Sequence, residues 1–208
     1  MPPTPVPPVR ARCATCLRPR RGCICPWVRP VAHAVEVLIL QHPQEVTQAK
    51  GSARLLHLCL PGSRMVTGEV FDDAALQALL AGPKQSVLLY PGTPQGGAPG
   101  LPTPPALAPD RWADPAGLRL VVLDGTWRKS RKMLCLNPLL QTLPRLALTG
   151  QPASRYRIRK AHRDDQLSTL EATCAALAQL EGGAERFTPL LTAFDGFVEQ
   201  QLALRAHP

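Results

Sequence analysis

Acidic residues are absent from two long stretches of this 208-residue chain: none lies in residues 1–34 and none in residues 128–163. Those stretches hold six and ten basic residues, 16 of the chain's 24, so the remainder carries eight bases against 15 acids. Cations segregated in this way mark a polyanion footprint, and nucleic acid is the partner we expect. Solvated arginine-rich faces are the plainer alternative. Long hydrophobic runs are also missing, and none approaches the roughly 20 residues that span a bilayer. The opening Met1-Pro2-Pro3-Thr4-Pro5 lacks the apolar core and cleavage site of a secretion signal, so a cytoplasmic protein is expected. There is no P-loop, no H-E-x-x-H and no G-x-S-x-G. Gly92, Gly96, Gly97 and Gly100 do not follow a strand as a dinucleotide fingerprint would. P-loop hydrolysis and dinucleotide oxidoreduction are therefore unsupported, and no internal repeat is visible.

Apolar residues make up 45% of the chain and the mean hydropathy is −0.06. A chain of this length hides roughly 70% of its unfolded surface, enough for one real core. Proline and glycine, 24 and 15 residues, are about 19% of the chain against a usual ~12%. Eight of the prolines fall in residues 91–117, which read as an irregular loop. The expected organisation is a Pro/Arg-rich N-terminus with a small cysteine module over residues 1–32, followed by one domain over 33–208.

Cys13, Cys16, Cys23 and Cys25 place four thiols within 13 residues, spaced C-x2-C-x6-C-x1-C. A reducing cytosol disfavours disulfides, and four thiolates at about 2.3 Å from a shared ion form a structural zinc site. Four free thiols, or two labile disulfides, are the alternatives. A site closed by four protein ligands leaves no open position for catalysis. Cys59, Cys135 and Cys174 stand alone among apolar neighbours and read as small buried hydrophobes.

Strands are expected at 33–40, 65–71, 86–90 and 118–123, with helices at 45–60, 74–81 and 128–136. Beyond residue 163, Leu167, Leu170, Cys174 and Leu177 repeat at helical spacing, as do Leu190, Leu191, Phe194, Phe197, Val198 and Leu202. Short, continuously apolar strands alternating with helices predict an α/β fold, a mostly parallel sheet with helices on both faces. Ligands in such sheets bind beyond the carboxyl ends of the strands, here Tyr90-Pro91-Gly92 and Leu123-Asp124-Gly125.

The second of these ends continues as Asp124-Gly125-Thr126-Trp127-Arg128-Lys129-Ser130, putting a carboxylate, a hydroxyl and an indole ahead of a basic helix. Asp124 either caps that helix or acts as a base in the mouth of the sheet. Arg128, Lys129, Arg131 and Lys132 on that helix, with Arg155, Arg157, Arg159 and Lys160 farther on, are the candidate RNA-contacting residues. As a strand, Arg155, Arg157 and Arg159 would share one face, and Tyr156 would either stack on a splayed base or sit in the core. Ser168-Thr169-Leu170-Glu171 is a capping-box pattern, and its hydroxyls and amides could equally hold an anionic ligand. His42 reads first as structural.

Asp124-Gly125-Thr126-Trp127 resembles the D-x-T-W signature of the DTW-domain family, the tRNA-uridine aminocarboxypropyltransferases. Other segments are similar in the family's order: the N-terminal cysteines with Arg18-Pro19 and Cys25-Pro26, Gln41 to Glu45, Ser52 to Leu56, Leu89 to Gly92, and Leu167 to Ala172. The resemblance covers most of residues 13–175. Gly51 and Gly92 depart from the residues frequent there. It implies a SPOUT-like fold, a class that includes knotted C-terminal parts, which binds S-adenosylmethionine. It further implies transfer of that molecule's 3-amino-3-carboxypropyl group to N3 of a tRNA uridine, with release of methylthioadenosine. Asp124, with Thr126 and Trp127, is then the expected catalytic group. Tyr90, Pro91, Gly92, Leu123, Gly125, Ser168, Thr169 and Glu171 are the expected cofactor contacts. The rivals are an RNA methyltransferase using the same cofactor and a zinc-dependent RNA-binding module without activity.

Overall fold

The apolar runs become strands of a single sheet. In the computed structural model, which describes residues 11–92, 104–105, 114–148, 154–156, 158 and 167–206, five strands lie in the order β2-β1-β4-β3-β5. They are β1 (Glu36–Gln41), β2 (Arg64–Thr67), β3 (Gln85–Leu89), β4 (Leu118–Asp124) and β5 (Arg145–Leu146), and every pairing between them is parallel. The central strand β4 is buried at all seven positions. Successive side chains on a strand point to opposite faces, and here both faces are covered. Val37, Ile39, Leu120, Val122 and Val87 enter one core; Leu38, Leu40, Val121, Leu123 and Leu88 enter the other. Two cores, one on each side, explain why the strands read as unbroken apolar runs rather than alternating ones.

Helices α1 (Ala53–Cys59), α5 (Thr169–Glu181) and α6 (Thr188–Ala206) cover the first face. Helices α2 (Asp73–Leu80), α3 (Trp127–Leu136) and α4 (Pro138–Gln141) cover the second. The helix after β1 and the helix after β4 thus lie on opposite faces, although the two strands are neighbours. Their carboxyl ends, Gln41 and Asp124, are register partners at the switch point, where an open parallel sheet leaves a crevice.

The N-terminal segment is built into the first core. Cys16 and Ile24 are buried there, and Trp27 lies against α6, its Nε1–H donating to Gln200 Oε1 at 2.9 Å. Gln200 in turn donates to the Cys23 carbonyl at 2.9 Å. Gly196 permits this contact, since a Cβ there would sit 2.3 Å from two atoms of the Trp27 ring. Overpacking of this kind typically costs about 1–3 kcal/mol. Gly196→Ala is therefore expected to lower the thermal midpoint by several degrees; an unchanged melt would refute the tight docking of Trp27 on α6.

Several expectations are corrected. The helix expected at 45–60 is only α1, preceded by a 3-10 turn at Pro43–Glu45. Residues 47–50 are exposed and offer no apolar face, so burial cannot stabilise a helix there. The second strand ends at Thr67 rather than Phe71, and the first begins at Glu36 rather than His33. β5 and α4 were not anticipated, being too short to show periodicity. Cys59 and Cys174 are buried, but Cys135 is exposed on α3 and is no core residue. Most of the expected 91–117 loop lies outside the described residues, as do Arg157, Arg159 and Lys160, and so does most of the 149–166 path on which any knot would depend. Among the described residues, no helix is long and apolar enough to cross a membrane.

Candidate active site and cysteine cluster

Two cavities open side by side at the carboxyl edge of the sheet. The larger, about 510 Å³, lies within the usual size range of small-molecule sites. Its floor is apolar (Leu89, Val122, Leu123, Leu146), and Tyr90, Pro91 and Trp127 stand at its side. The Trp127 and Tyr90 rings meet edge to face at 5.9 Å, and the indole is 50% exposed. The smaller cavity, about 250 Å³, is lined mainly by residues of polar type, among them Glu45, Lys50, Asp124, Lys129 and Tyr156. Gly125, Ser168 and Thr169 line both cavities and form the partition between them.

Asp124, only 5% exposed, is held by both oxygens. Oδ1 accepts from the Thr169 hydroxyl at 2.7 Å and Oδ2 from the Gln41 amide at 2.9 Å. It does not cap α3; Thr126 does, its hydroxyl accepting from Lys129 N. The capping explanation of Asp124 therefore falls, and its buried carboxylate needs another. A Cβ at Gly125 would lie 3.1 Å from Lys129 Cβ, so a side chain there would press on the start of α3.

Ser168 and Glu171 form the expected capping box of α5. Glu171 is more committed than the pattern suggested, for its carboxylate also accepts from Ser154 Oγ and Arg155 N. It lines neither cavity, and neither does Gly92, which is exposed. On α3, Lys129 pairs with Glu45 at 2.7 Å and Lys132 with Glu69 at 2.9 Å. Arg128 and Arg131 remain exposed, with no acidic partner among the described residues. Arg155 pairs with Asp195 at 3.0 Å. Tyr156 is half-buried, its ring against Phe194 at 5.2 Å, so it belongs to the core while facing the polar cavity.

His42 is buried and bonded through both ring nitrogens. Its Nδ1 accepts from Gln44 N at 3.1 Å, which leaves the proton on Nε2, facing Glu69 Oε1 at 2.8 Å. Hydrogen bonds from His42 and Lys132 hold Glu69 below the usual carboxylate range. Gln41 is the site residue that sequence reasoning passed over. It ends its strand as Asp124 ends the neighbouring one, so the carboxyl-end rule already pointed to it.

The four N-terminal thiols converge, with all Sγ atoms within 4.8 Å of one another. Cys13 and Cys25 are 3.6 Å apart, and Cys16 and Cys23 are 3.7 Å apart. A tetrahedron with arms of about 2.3 Å has S–S edges of about 3.8 Å, so this donor set can hold a metal ion. All four cysteines are free. Backbone N–H groups of Cys16 and Thr15 hold the Cys13 thiol down at about 6, whereas desolvation pushes Cys25 up to about 12. A dication held by these four residues would deprotonate all of them, since coordinating thiols are deprotonated outright.

The DTW domain matches residues 10–202. The chain belongs to the DTW domain family. Among relatives, a Drosophila melanogaster protein named tRNA-uridine aminocarboxypropyltransferase 2 is 33% identical over 201 residues, covering 93% of this chain and 76% of its own length. The mouse protein of that name is 29% identical over 178 residues, with 83% of this chain and 57% of its own length covered. For the macaque protein the figures are 28% over 185 residues, 85% and 59%. The DTW chain thus spans less than two thirds of the mouse and macaque proteins. No solved structure matches it.

Proposed function

We propose that this DTW protein transfers the 3-amino-3-carboxypropyl group of S-adenosylmethionine to N3 of a tRNA uridine, releasing methylthioadenosine. Membership of the family and the names of the relatives support tRNA modification. The observation that carries the finer reading is Asp124, a buried carboxylate in the wall of the smaller cavity, bonded to Thr169, which lines both cavities. The apolar cavity suits an adenosine moiety in size and character, with Tyr90 and Trp127 available for stacking. The polar cavity suits the acceptor base and the charged amino-acid arm.

When bound, S-adenosylmethionine supplies an electrophilic carbon beside its sulfonium, and methylthioadenosine is what remains after transfer. The protein's task is to prepare the nucleophile and to choose the carbon. Uridine N3 carries a proton and attacks only once that proton is removed; Asp124 accepts it. Gln41 and Thr169 hold both carboxylate oxygens, so the base is oriented before substrate arrives. Thr169 also walls both cavities, so the partition that separates them is tied directly to the base. In this reading the cysteine module holds a structural zinc ion and fixes the N-terminus. Arg128 and Arg131, with Arg155, Arg157, Arg159 and Lys160, supply phosphate contacts that give affinity without sequence choice.

Incubation with unmodified tRNA and S-adenosylmethionine tests the proposal. Methylthioadenosine should appear in step with an aminocarboxypropyl mass on a uridine nucleoside. S-adenosylhomocysteine in its place would make the protein a methyltransferase, and neither product would make it a binding module.

A further inference from the structure

Part of the wall of the polar cavity is an irregular segment that contributes Gln48, Lys50 and Gly51, and the carbonyls of residues 49–51 are gathered by side chains from far away in sequence. Arg18 Nη2 donates to Gly51 O at 2.6 Å and Nη1 to Ala49 O, while the Tyr156 hydroxyl donates to Lys50 O. Three consecutive carbonyls are thus captured. The Arg18 guanidinium also lies over the Phe197 ring, 5.0 Å from its centroid, which fixes its plane. Arg18 follows the Cys13–Cys16 knuckle immediately. Its carbonyl accepts from Cys13 N at 2.8 Å, and the preceding Leu17 takes a left-handed conformation at φ 61°. A non-glycine residue held there needs surrounding structure to impose it. The knuckle imposes it, and so aims Arg18.

We propose that Arg18 is a positioning residue through which the metal module sets the shape of the acceptor cavity. Resting on the reading that the polar cavity takes the acceptor uridine, this gives the cysteine cluster a role beyond holding the fold. A planar guanidinium spans two carbonyls while stacking on a ring; a lysine ammonium has the charge without the fork.

Arg18→Lys and Arg18→Ala separate the possibilities, each compared with the wild type at equal metal content. Positioning predicts that both raise KM for unmodified tRNA about ten-fold, the order of one lost hydrogen bond to a charged donor. It also predicts that kcat, zinc stoichiometry and calorimetric affinity for S-adenosylhomocysteine stay within two-fold, because the larger cavity is walled by other residues. Amide hydrogen exchange should quicken at residues 48–51, while α5 and α6 keep their protection. Rescue of KM by Lys would mean that Arg18 touches phosphate through its charge alone, and would overturn the proposal. So would a fall in kcat together with loss of zinc, which marks a purely structural residue. The exchange measurement needs no turnover. Unchanged protection at 48–51 therefore counts against Arg18 even if the transferase reading fails, and that failure would appear separately as absence of methylthioadenosine from the wild type.

Discussion

Aminocarboxypropyl transfer by Asp124→Asn is expected to fall about 10²–10⁴-fold, the usual worth of a positioned general base. The amide keeps the shape of the carboxylate and can still accept from Thr169, but it cannot take the uridine proton. Asparagine also caps helices about as well as aspartate, and Asp124 caps none, so no loss of helix stability confuses the result. Affinity for S-adenosylhomocysteine has to be measured beside the rate. A carboxylate that mainly faces the sulfonium would show its removal as weaker binding of S-adenosylmethionine, with a smaller effect on turnover. Near-normal turnover with normal binding would end the general-base assignment.

Withdrawal of the metal is the second large effect. Zinc binding is worth about 10–16 kcal/mol in isolated finger peptides, where it is the folding free energy. Here the module shares a core with the sheet, since Cys16 and Ile24 are buried against α6, so only part of that amount need appear. Even about 3–4 kcal/mol would lower the thermal midpoint by roughly 10 °C at about 2–4 °C per kcal/mol. Cys16→Ser and exhaustive chelation should give the same drop, with about one zinc per chain lost in each. Protein prepared without chelator that holds no metal, yet melts as high as before, would refute the site. Protonation competes with the metal for the four thiolates, so the midpoint advantage should fade as the pH is lowered.

The amino-acid sequence by itself determined the α/β class. Val37 to Leu40 and Leu120 to Leu123 are apolar without interruption, and only a strand covered on both faces uses such a run. It also showed where to look, because Asp124 ends one of those runs, and it picked out the four thiols within 13 residues that the structure gathers into a cluster able to hold a metal ion. The capping box at Ser168 and Glu171 was legible for the same reason. Each of these signals is local, and its partners lie within a few residues.

What the tertiary structure decided are pairings across long separations, which no periodicity encodes. Gln41 meets Asp124 across 83 residues because parallel register brings two strand ends together. Lys129 and Lys132 look like free cations in the sequence, yet Glu45 and Glu69 neutralise them from the far side of the switch point. Cys135 follows an apolar neighbour but falls on the outer side of a helix, where burial gives it nothing. Residues 47–50 lack the apolar face a helix needs, and the carbonyls of Ala49, Lys50 and Gly51 are taken instead by Arg18 and Tyr156. Local propensity places residues on elements; only the packing of those elements assigns each polar group its partner, and the site consists of those partners.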